Sequence, residues 1–154
     1  MRIVPVLPHD AEPSVELLDE DCVPTIFVAE SAHRDMHYIM EASSDNEIGW
    51  LGSVKDVPGG YLIDHVFLFE QEVSPTHCAF DADAMGALIT ERLKTDPAAK
   101  DYLGRLRFWG HLHPGDMHQA SGQDEDQMEL FEHNPYFIRG IFTRGGRAEY
   151  CFFD

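Results

Sequence analysis

The stretch RLRFWGHLHPGDMHQASGQDED, residues 105–126, decides how the fold is interpreted, since it combines an alternating strand, a turn and an acidic helix start. Side chains alternate across a strand, so His111 and His113 point to one face. Pro114 cannot donate to a sheet ladder and therefore ends the strand. The opposite face suits a hydrophobic core and carries Leu106, Phe108, Gly110 and Leu112.

The two histidines and a downstream aspartate form a candidate metal site. Two imidazoles on one strand face can chelate one ion, each at about 2.0–2.1 Å if the ion is zinc. The chain returns 11 residues after His113 at Asp124, the start of a helix predicted over 124–133. Three protein ligands leave the fourth position open, which is typical of catalytic zinc rather than structural zinc.

The residues alone leave other interpretations open. A His-x-His pair recurs in many strands without a metal, and Ser121 and Asp124 have the spacing of a helix capping box, which needs no ion. Other enzyme families with a His-x-His pair need partner residues that this sequence lacks. A metallophosphoesterase needs Asp-rich upstream motifs, and a cupin needs a glutamate where Met117 and His118 stand. A zinc deaminase needs His-x-Glu with Pro-Cys-x-x-Cys.

Length and charge define the broad class. With 154 residues and 44% apolar residues, the chain suits one domain with its own core. The net charge is −17, with 28 acids against 11 basic residues, and no stretch forms the basic patch that nucleic acid or anionic lipid needs. We therefore expect no nucleic-acid or membrane partner. Such self-repulsion is screened in concentrated salt, so we hypothesise a salt-rich native environment.

The N-terminal region and the cysteines bear on location. No apolar run approaches the roughly 18–20 residues of a membrane helix. Pro5 and Pro8 interrupt the start, which argues against a signal peptide, so we expect a soluble cytoplasmic protein. Cys22, Cys78 and Cys151 are far apart and odd in number, which predicts unpaired thiols.

Periodicity and turn signals predict strands interspersed with helices in a mixed α/β or α+β domain. Residues 1–24, rich in Pro and acids, form an N-terminal extension, and 25–154 form the domain. Strands are predicted over 25–29, 47–54, 61–73 and 105–113, with a closing hairpin of 134–143 and 147–154 around Gly145-Gly146. Helices are predicted over 32–42, 82–95 and 124–133, with Ser31 and Asp81 capping the first two.

Apolar stripes give the buried face of each predicted helix. The expected inward residues are Ala32, Met36, Ile39 and Met40 in the first helix, Met85, Leu88, Ile89 and Leu93 in the second, and Met128 and Phe131 in the third.

Residues 111–124 fit, position by position, the motif H-x-H-P-x6-S-x2-D of the JAMM (MPN+) metallopeptidases, and the chain resembles the prokaryotic type of that family over roughly 25–154. The family also places a glutamate at the start of the hydrophobic strand after the first helix, and the matching residue in DNEIGWLGS is Glu47. The order of elements is similar too. The resemblance implies a single MPN/JAB-like domain, a mixed β-sheet flanked by helices in a cytidine-deaminase-like architecture.

The resemblance also implies a role for each motif residue. His111, His113 and Asp124 would hold one zinc ion per chain. Glu47 would hydrogen-bond the attacking water, take its proton and pass it to the leaving amine. Ser121 would donate a hydrogen bond to the oxyanion.

Four residues depart from the family pattern or extend it. Leu112 stands between the histidines where relatives usually carry Ser or Thr, and His118 is an extra histidine within the six-residue spacer. Asp126 offers a second carboxylate near the helix start. Trp109 shares the strand face of the histidines, where we expect it to pack or to form a wall of the site.

The function implied by the resemblance is that of a zinc-dependent peptidase or isopeptidase. Its expected substrate is a bond next to the tail of a ubiquitin-like or sulfur-carrier protein, which could bind as an added strand. The segment after Asp124 is short and lacks the long insertion with which some relatives grip ubiquitin. The alternative is a non-catalytic MPN-type binding or scaffold module, and a third possibility is a zinc enzyme that attacks another amide.

Overall fold

The structure is a computed structural model and describes residues 3–5, 24–117 and 120–153. Its strands are β1 (Ile3–Pro5), β2 (Thr25–Val28), β3 (Ile48–Val57), β4 (Gly60–Phe67), β5 (Gln71–Ser74), β6 (His77–Phe80), β7 (Leu106–His113), β8 (Phe137–Thr143) and β9 (Ala148–Phe153). Its helices are α1 (Glu30–Ala42), α2 (Ala82–Thr95), α3 (Ala99–Leu103) and α4 (Gly122–Met128), followed by a 3-10 turn over Glu129–Phe131.

A seven-stranded sheet in the order β1-β2-β4-β3-β7-β8-β9 organises the described chain, and β5 and β6 form a separate hairpin. The sheet is mixed: β2 runs parallel to β4, β3 is antiparallel to both β4 and β7, and β7 runs parallel to β8. Helices flank this sheet, which confirms the expected mixed α+β class. The predicted closing hairpin is also confirmed, because β8 pairs antiparallel with β9.

Each face of the sheet is covered by its own set of apolar side chains. On the α1 face, helix α1 contributes Ala32, Met36 and Ile39 to the main core. On the opposite face, which we call the α2 face, a smaller cluster forms around Leu51, Phe69, Trp109 and Phe137. Partly buried side chains of α2, α4 and the 3-10 turn pack against that cluster, and these are Met85, Leu88, Ile89, Met128 and Phe131.

Strand β7 alternates between the two faces, as predicted, over most of its length. Phe108 and Leu112 lie in the core of the α1 face, and Trp109 lies in the cluster of the α2 face. The prediction for Leu106 is wrong, because Leu106 packs against the α2-face cluster. Gly52 pairs with Phe108 but Ser53 pairs with Leu106, so Arg107 is an extra residue that interrupts the alternation.

The prediction of one long strand over 61–73 is wrong. Strand β4 ends at Phe67, and the chain leaves the sheet before it resumes as β5 at Gln71. Phe69 is only 2% exposed in the α2-face cluster, so its burial draws the segment out of the plane of the sheet. Strand β5 then pairs with β6, which periodicity did not predict.

Helix boundaries were predicted with mixed success. Helix α2 has the predicted bounds, and the Asp81 side chain accepts a 2.9 Å hydrogen bond from the amide of Ala84. Leu93, expected to face inward, is 51% exposed. Ser31 does not cap α1, because the helix begins at Glu30 and the N-cap is Ala29, which makes no side-chain cap bond. The short helix α3 was not predicted.

The N-terminal extension, predicted over 1–24, is only partly described. Ile3–Pro5 pairs in parallel with Ile26–Val28, so this piece belongs to the sheet. Residues 6–23, including Cys22, lie outside the described residues. Within the described residues, Cys78 and Cys151 are free, and none of the helices has the length and apolar character needed to cross a membrane.

Candidate metal centre

The two histidines of β7 are buried side by side on the α2 face. His111 is 0% exposed and His113 is 5% exposed. Their Nε2 atoms are 2.7 Å apart, and the Trp109 ring stacks on His111 with a centroid distance of 4.8 Å. The strand alternation read from the sequence is therefore confirmed, as is the packing role of Trp109.

Helix α4 brings Asp124 to the same place through its N-terminal cap. The Ser121 amide donates to Asp124 Oδ2 at 2.5 Å, and the Asp124 amide donates to Ser121 Oγ at 3.3 Å. This is a complete capping box with Asp124 at the third helical position, so the helix starts earlier than predicted, at Gly122. It also ends earlier, at Met128.

Asp124 contacts both histidines as well as capping the helix, so its spacing is compatible with both the capping and the metal interpretation. Asp124 Oδ1 lies 3.2 Å from His111 Nε2, and Asp124 Oδ2 lies 3.6 Å from His113 Nε2. One carboxylate thus orders the start of α4 and faces the imidazole pair. The cap fixes its position before any ion binds.

The donor atoms of these three residues lie close enough together to hold a metal ion. They all lie within 4.8 Å of one another. Tetrahedral zinc with bonds of about 2.0–2.1 Å separates its ligand atoms by about 3.3 Å. The two nitrogen–oxygen distances, 3.2 Å to Oδ1 and 3.6 Å to Oδ2, are of that order but involve different oxygens of the Asp124 carboxylate. The 2.7 Å distance between the two nitrogens is shorter than that value, so the imidazoles would have to move apart to hold zinc.

A backbone carbonyl orients one of the two imidazoles. His113 Nδ1 lies 2.7 Å from the carbonyl oxygen of Met117. The nitrogen must donate to that carbonyl, which leaves Nε2 as the nitrogen with a lone pair. His111 Nδ1 is buried and has no hydrogen-bond partner among the described residues. Metal-binding histidines commonly have an outer partner of the kind that Met117 provides.

Two of the three candidate donors, His111 and Asp124, have the protonation state that a divalent cation needs. Burial lowers the pKa of His111 to about 4, so this imidazole is neutral at neutral pH. Burial alone would raise the pKa of Asp124, but interactions with His113 and His111, which both carry a proton at the low pH where Asp124 titrates, lower it to about 2. The bond to Asp124 raises the pKa of His113. An ionised Asp124 beside a neutral His111 suits a divalent ion, and such an ion would displace the proton that the raised pKa favours on His113.

A nearby thiol does not join this donor set. Burial, together with the negative charges of Glu47 and Asp124, raises the pKa of Cys78 to about 12. The thiol is therefore protonated at neutral pH. The metal-binding group among the described residues contains His111, His113 and Asp124 only.

The sheet brings Glu47 to the same centre from far upstream. In the antiparallel pair of β3 and β7, Ile48 lies opposite Leu112. Continuing this register by one residue places Glu47 opposite His113. The Glu47 amide donates to the carbonyl oxygen of Ser74 at 2.8 Å. The charge of Glu47 also contributes, after Asp124, to the raised pKa of His113.

One open cavity of about 610 Å³ joins the candidate catalytic residues. Glu47, His113 and Ser121 line it together with Met117. His111 and Asp124 do not line this cavity. A second cavity, of about 440 Å³, opens between α1 and the turn of the closing hairpin, and it is lined by Met36, Leu112 and Tyr150. Because it lies on the α1 face, it is not part of the metal centre.

His111, His113 and Asp124 form a group that could hold a metal ion, and His113 also lines one cavity with Glu47 and Ser121. Asp126 is exposed, lines the cavity and is not in the metal-binding group. His118 lies outside the described residues. The carbonyl of Met117 was not predicted, because a backbone contact has no residue signature in a sequence.

Comparisons with known proteins add no family to this description. No model of a known protein family matches the chain, and no curated protein matches it. The chemistry of the centre is therefore inferred from the arrangement of its own residues.

Proposed function

We propose that the chain is a zinc-dependent hydrolase of the JAMM type, which cleaves a peptide or isopeptide bond. The observation that carries the proposal is the buried group of His111, His113 and Asp124 beside a cavity that Glu47 and Ser121 also line. Three protein ligands leave one position for water or substrate, and a carboxylate and a hydroxyl stand at the open side. A purely structural zinc site would instead be closed by a fourth ligand.

The three ligands would hold the ion and the remaining residues would do the proton chemistry. When bound, zinc acts as a Lewis acid that polarises a carbonyl group and makes water ionise near neutral pH. The Glu47 carboxylate, opposite His113, would take the proton of the attacking water and deliver it to the leaving amine. This role requires Glu47 to be ionised when substrate binds.

Ser121 would stabilise the negative charge that develops on the carbonyl oxygen of the substrate. Its Oγ accepts the Asp124 amide at 3.3 Å, so the hydroxyl proton is available for a donor role. Ser121 is partly exposed and lines the cavity beside His113. A fixed donor aimed at a developing oxyanion lowers the barrier to reaction.

The proposed substrate is an extended tail of a ubiquitin-like or sulfur-carrier protein. The cavity lies between Pro75 and Thr76, in the turn of the β5–β6 hairpin, and the loop from Pro114 to Met117. Met117 is 64% exposed at this place, and an exposed thioether suits contact with a variable apolar side chain. An open cleft of this form fits an extended chain better than a compact side chain.

The decisive experiment is cleavage of ubiquitin-like fusions by the zinc-loaded protein, with the cut site read by mass spectrometry. We expect His113→Ala to lose zinc and activity together, since a ligand is removed. We expect Glu47→Gln to keep zinc and to lose turnover, since only the base is removed. Ser121→Ala should reduce the rate more than the zinc content. The exposed Glu72→Gln variant, on β5, serves as the matched control.

Two outcomes would contradict the proposal. Cleavage by Glu47→Gln at the parent rate would remove the general-base assignment. A zinc-loaded parent that binds the fusions but cleaves none of them would favour the non-catalytic binding module.

A further inference from the structure

Near Glu47, strand β3 has no neighbouring strand among the described residues on the side where β4 pairs with the rest of it. Strand β4 pairs with β3 from Val57 only as far as Leu51, opposite Phe67, and then leaves the sheet. On the side of β4, the first residues of β3 and the preceding Glu47 therefore need other hydrogen-bond partners. The backbone N–H and C=O groups of residues 47 and 49 point to the same side, because these groups alternate in direction along a strand.

The side chain of Gln71 takes the place of the missing strand at Gly49. Its Oε1 accepts the Gly49 amide at 2.8 Å, and its Nε2 donates to the Gly49 carbonyl oxygen at 2.8 Å. The same Nε2 also donates to the carbonyl oxygen of Phe69 at 3.1 Å. One primary amide thus makes both bonds that a strand neighbour would make to a single residue.

A second hydrogen bond, also from β5, holds Glu47, the proposed general base. The carbonyl of Ser74, at the end of β5, accepts the Glu47 amide at 2.8 Å. Gln71 and Ser74 therefore fix β3 and its start at two alternate residues, 49 and 47. Gly49 also allows a close approach, because a Cβ there would lie 3.1 Å from Nε1 of Trp109, whose ring stacks on His111.

We infer that Gln71 is a positioning residue for Glu47, an inference that rests on the proposed function. By clamping Gly49, Gln71 holds the start of β3 against β7 and so sets where the Glu47 carboxylate lies relative to His113. A general base must be within hydrogen-bond reach of the proton that it takes. Gln71 does not line the cavity among the described residues, so it acts through the backbone rather than on the substrate.

The test compares Gln71→Met, which keeps the size of the side chain and removes all three hydrogen bonds, with Glu72→Gln on the exposed side of the same strand. Amide hydrogen exchange of the zinc-loaded protein reports the clamp directly. We expect exchange at Gly49 to rise by about tenfold in Gln71→Met, because loss of a buried hydrogen bond favours local opening. Zinc content should equal that of the parent.

Turnover reports the consequence for Glu47. We expect kcat to fall by about tenfold to hundredfold in Gln71→Met with KM within about twofold, because misplacement of a reacting group by about 1 Å can cost about 10²-fold. Glu72→Gln should match the parent in exchange, zinc content and turnover. Gln71→Glu keeps an acceptor for the Gly49 amide but places a carboxylate oxygen against the carbonyl oxygen of Gly49. It should therefore not restore kcat.

Failure of this inference differs from failure of the proposed function. Unchanged exchange at Gly49, or an unchanged kcat in Gln71→Met beside an inactive Glu47→Gln, overturns the positioning role alone. A zinc-loaded parent that cleaves nothing, or Glu47→Gln that cleaves at the parent rate, overturns the proposed function and the role of Gln71 with it.

Discussion

The two faces of β7 are equally buried but chemically opposite. On the α1 face, Phe108 and Leu112 are 0% and 1% exposed and pack among apolar side chains. On the α2 face, His111 and His113 are 0% and 5% exposed and contact each other and Asp124. Burial of polar groups costs free energy unless they are paired. At this end of β7 the α1 face adds apolar burial to the core, whereas the α2 face buries two imidazoles that contact the Asp124 carboxylate.

This contrast suggests that stability and the proposed metal binding can be separated along a single strand. Neighbouring residues, one from each face, share nearly the same backbone environment and burial. Substitutions at neighbouring positions should then affect different properties, and the following predictions examine this separation from the largest effect to the smallest.

The neighbours Leu112 and His113 test the separation most sharply. We expect Leu112→Ala to lower the free energy of unfolding by about 2–5 kcal/mol, because it leaves a cavity in the core. It should still bind zinc while folded. His113→Ala should abolish zinc binding and cost clearly less stability in chelated protein. Urea unfolding with chelator and zinc titration measure the two effects. Equal destabilisation by both variants would make His113 a core residue instead of a ligand.

Gly110 tests how closely the α1 face is packed behind the histidines. A Cβ at Gly110 would overlap the ring of Trp50, which is 0% exposed. We expect Gly110→Ala to destabilise the fold by about 3 kcal/mol through overpacking. Gly86 in α2 is the matched control, since a Cβ there meets nothing within 4 Å. Gly86→Ala should stabilise by about 0.5–1 kcal/mol, as alanine favours the helix interior.

Chemical denaturation of the two glycine variants measures this difference. If Gly110→Ala were as stable as the parent, the close packing between β7 and Trp50 would be wrong.

Asp64, within β4 and away from the candidate metal group, is a buried carboxylate paired with basic and hydroxyl side chains. Burial would raise its pKa, but bonds from Ser53 at 2.5 Å, Lys55 at 2.9 Å and Arg105 at 3.2 Å hold the pKa well below its ordinary value. Because the folded pKa lies below the unfolded value of 3.8, its stabilisation is present above about pH 4 and is lost as pH falls further.

Comparison with Asp64→Asn isolates this contribution in chelated protein. We expect the variant to be less stable by about 2 kcal/mol at pH 6, with the difference shrinking towards pH 2. Asp124, which has the same sign of shift, is present in both proteins and cancels. A stability difference that is independent of pH would show that Asp64 gains nothing from its charge.

The acidic surface, which belongs to neither face, should give the smallest effect. The net charge of −17 repels itself, and about 1 M salt reduces the Debye length to roughly 3 Å. We expect the melting temperature to rise by a few degrees between low and molar NaCl. An equal osmolality of sucrose controls for solvent exclusion. A melting temperature that stays flat or falls in salt would count against a salt-rich native environment.

Much of the fold could be predicted because local signals were consistent with burial. The alternation of residues predicted β7, and Asp81 together with Asp96-Pro97 predicted both ends of α2. Prediction failed where tertiary contacts decided the outcome. Burial of Phe69 divides the expected strand over 61–73, and the extra residue Arg107 turns Leu106 to the other face.

The candidate site was predictable in part. The spacing of His111, His113 and Asp124 suggested the metal group from residue chemistry. Glu47 came only from the resemblance, because nothing local distinguishes one acid among 28. Gln71 could not be predicted, since its contact depends on where β4 leaves the sheet. A side chain that replaces a strand is visible only once the strand order is known.

Zinc titration of the neighbouring carboxylates on α4 tests the central claim most directly. The parent should bind one zinc ion per chain, and Asp126→Asn, which changes an exposed carboxylate in the same cavity, should bind equally well. Asp124→Asn should bind at least about 100-fold more weakly, since even outer partners of metal ligands are worth about 10–100-fold. Parent-like affinity in Asp124→Asn, or loss of zinc in Asp126→Asn alone, would contradict the centre formed by His111, His113 and Asp124.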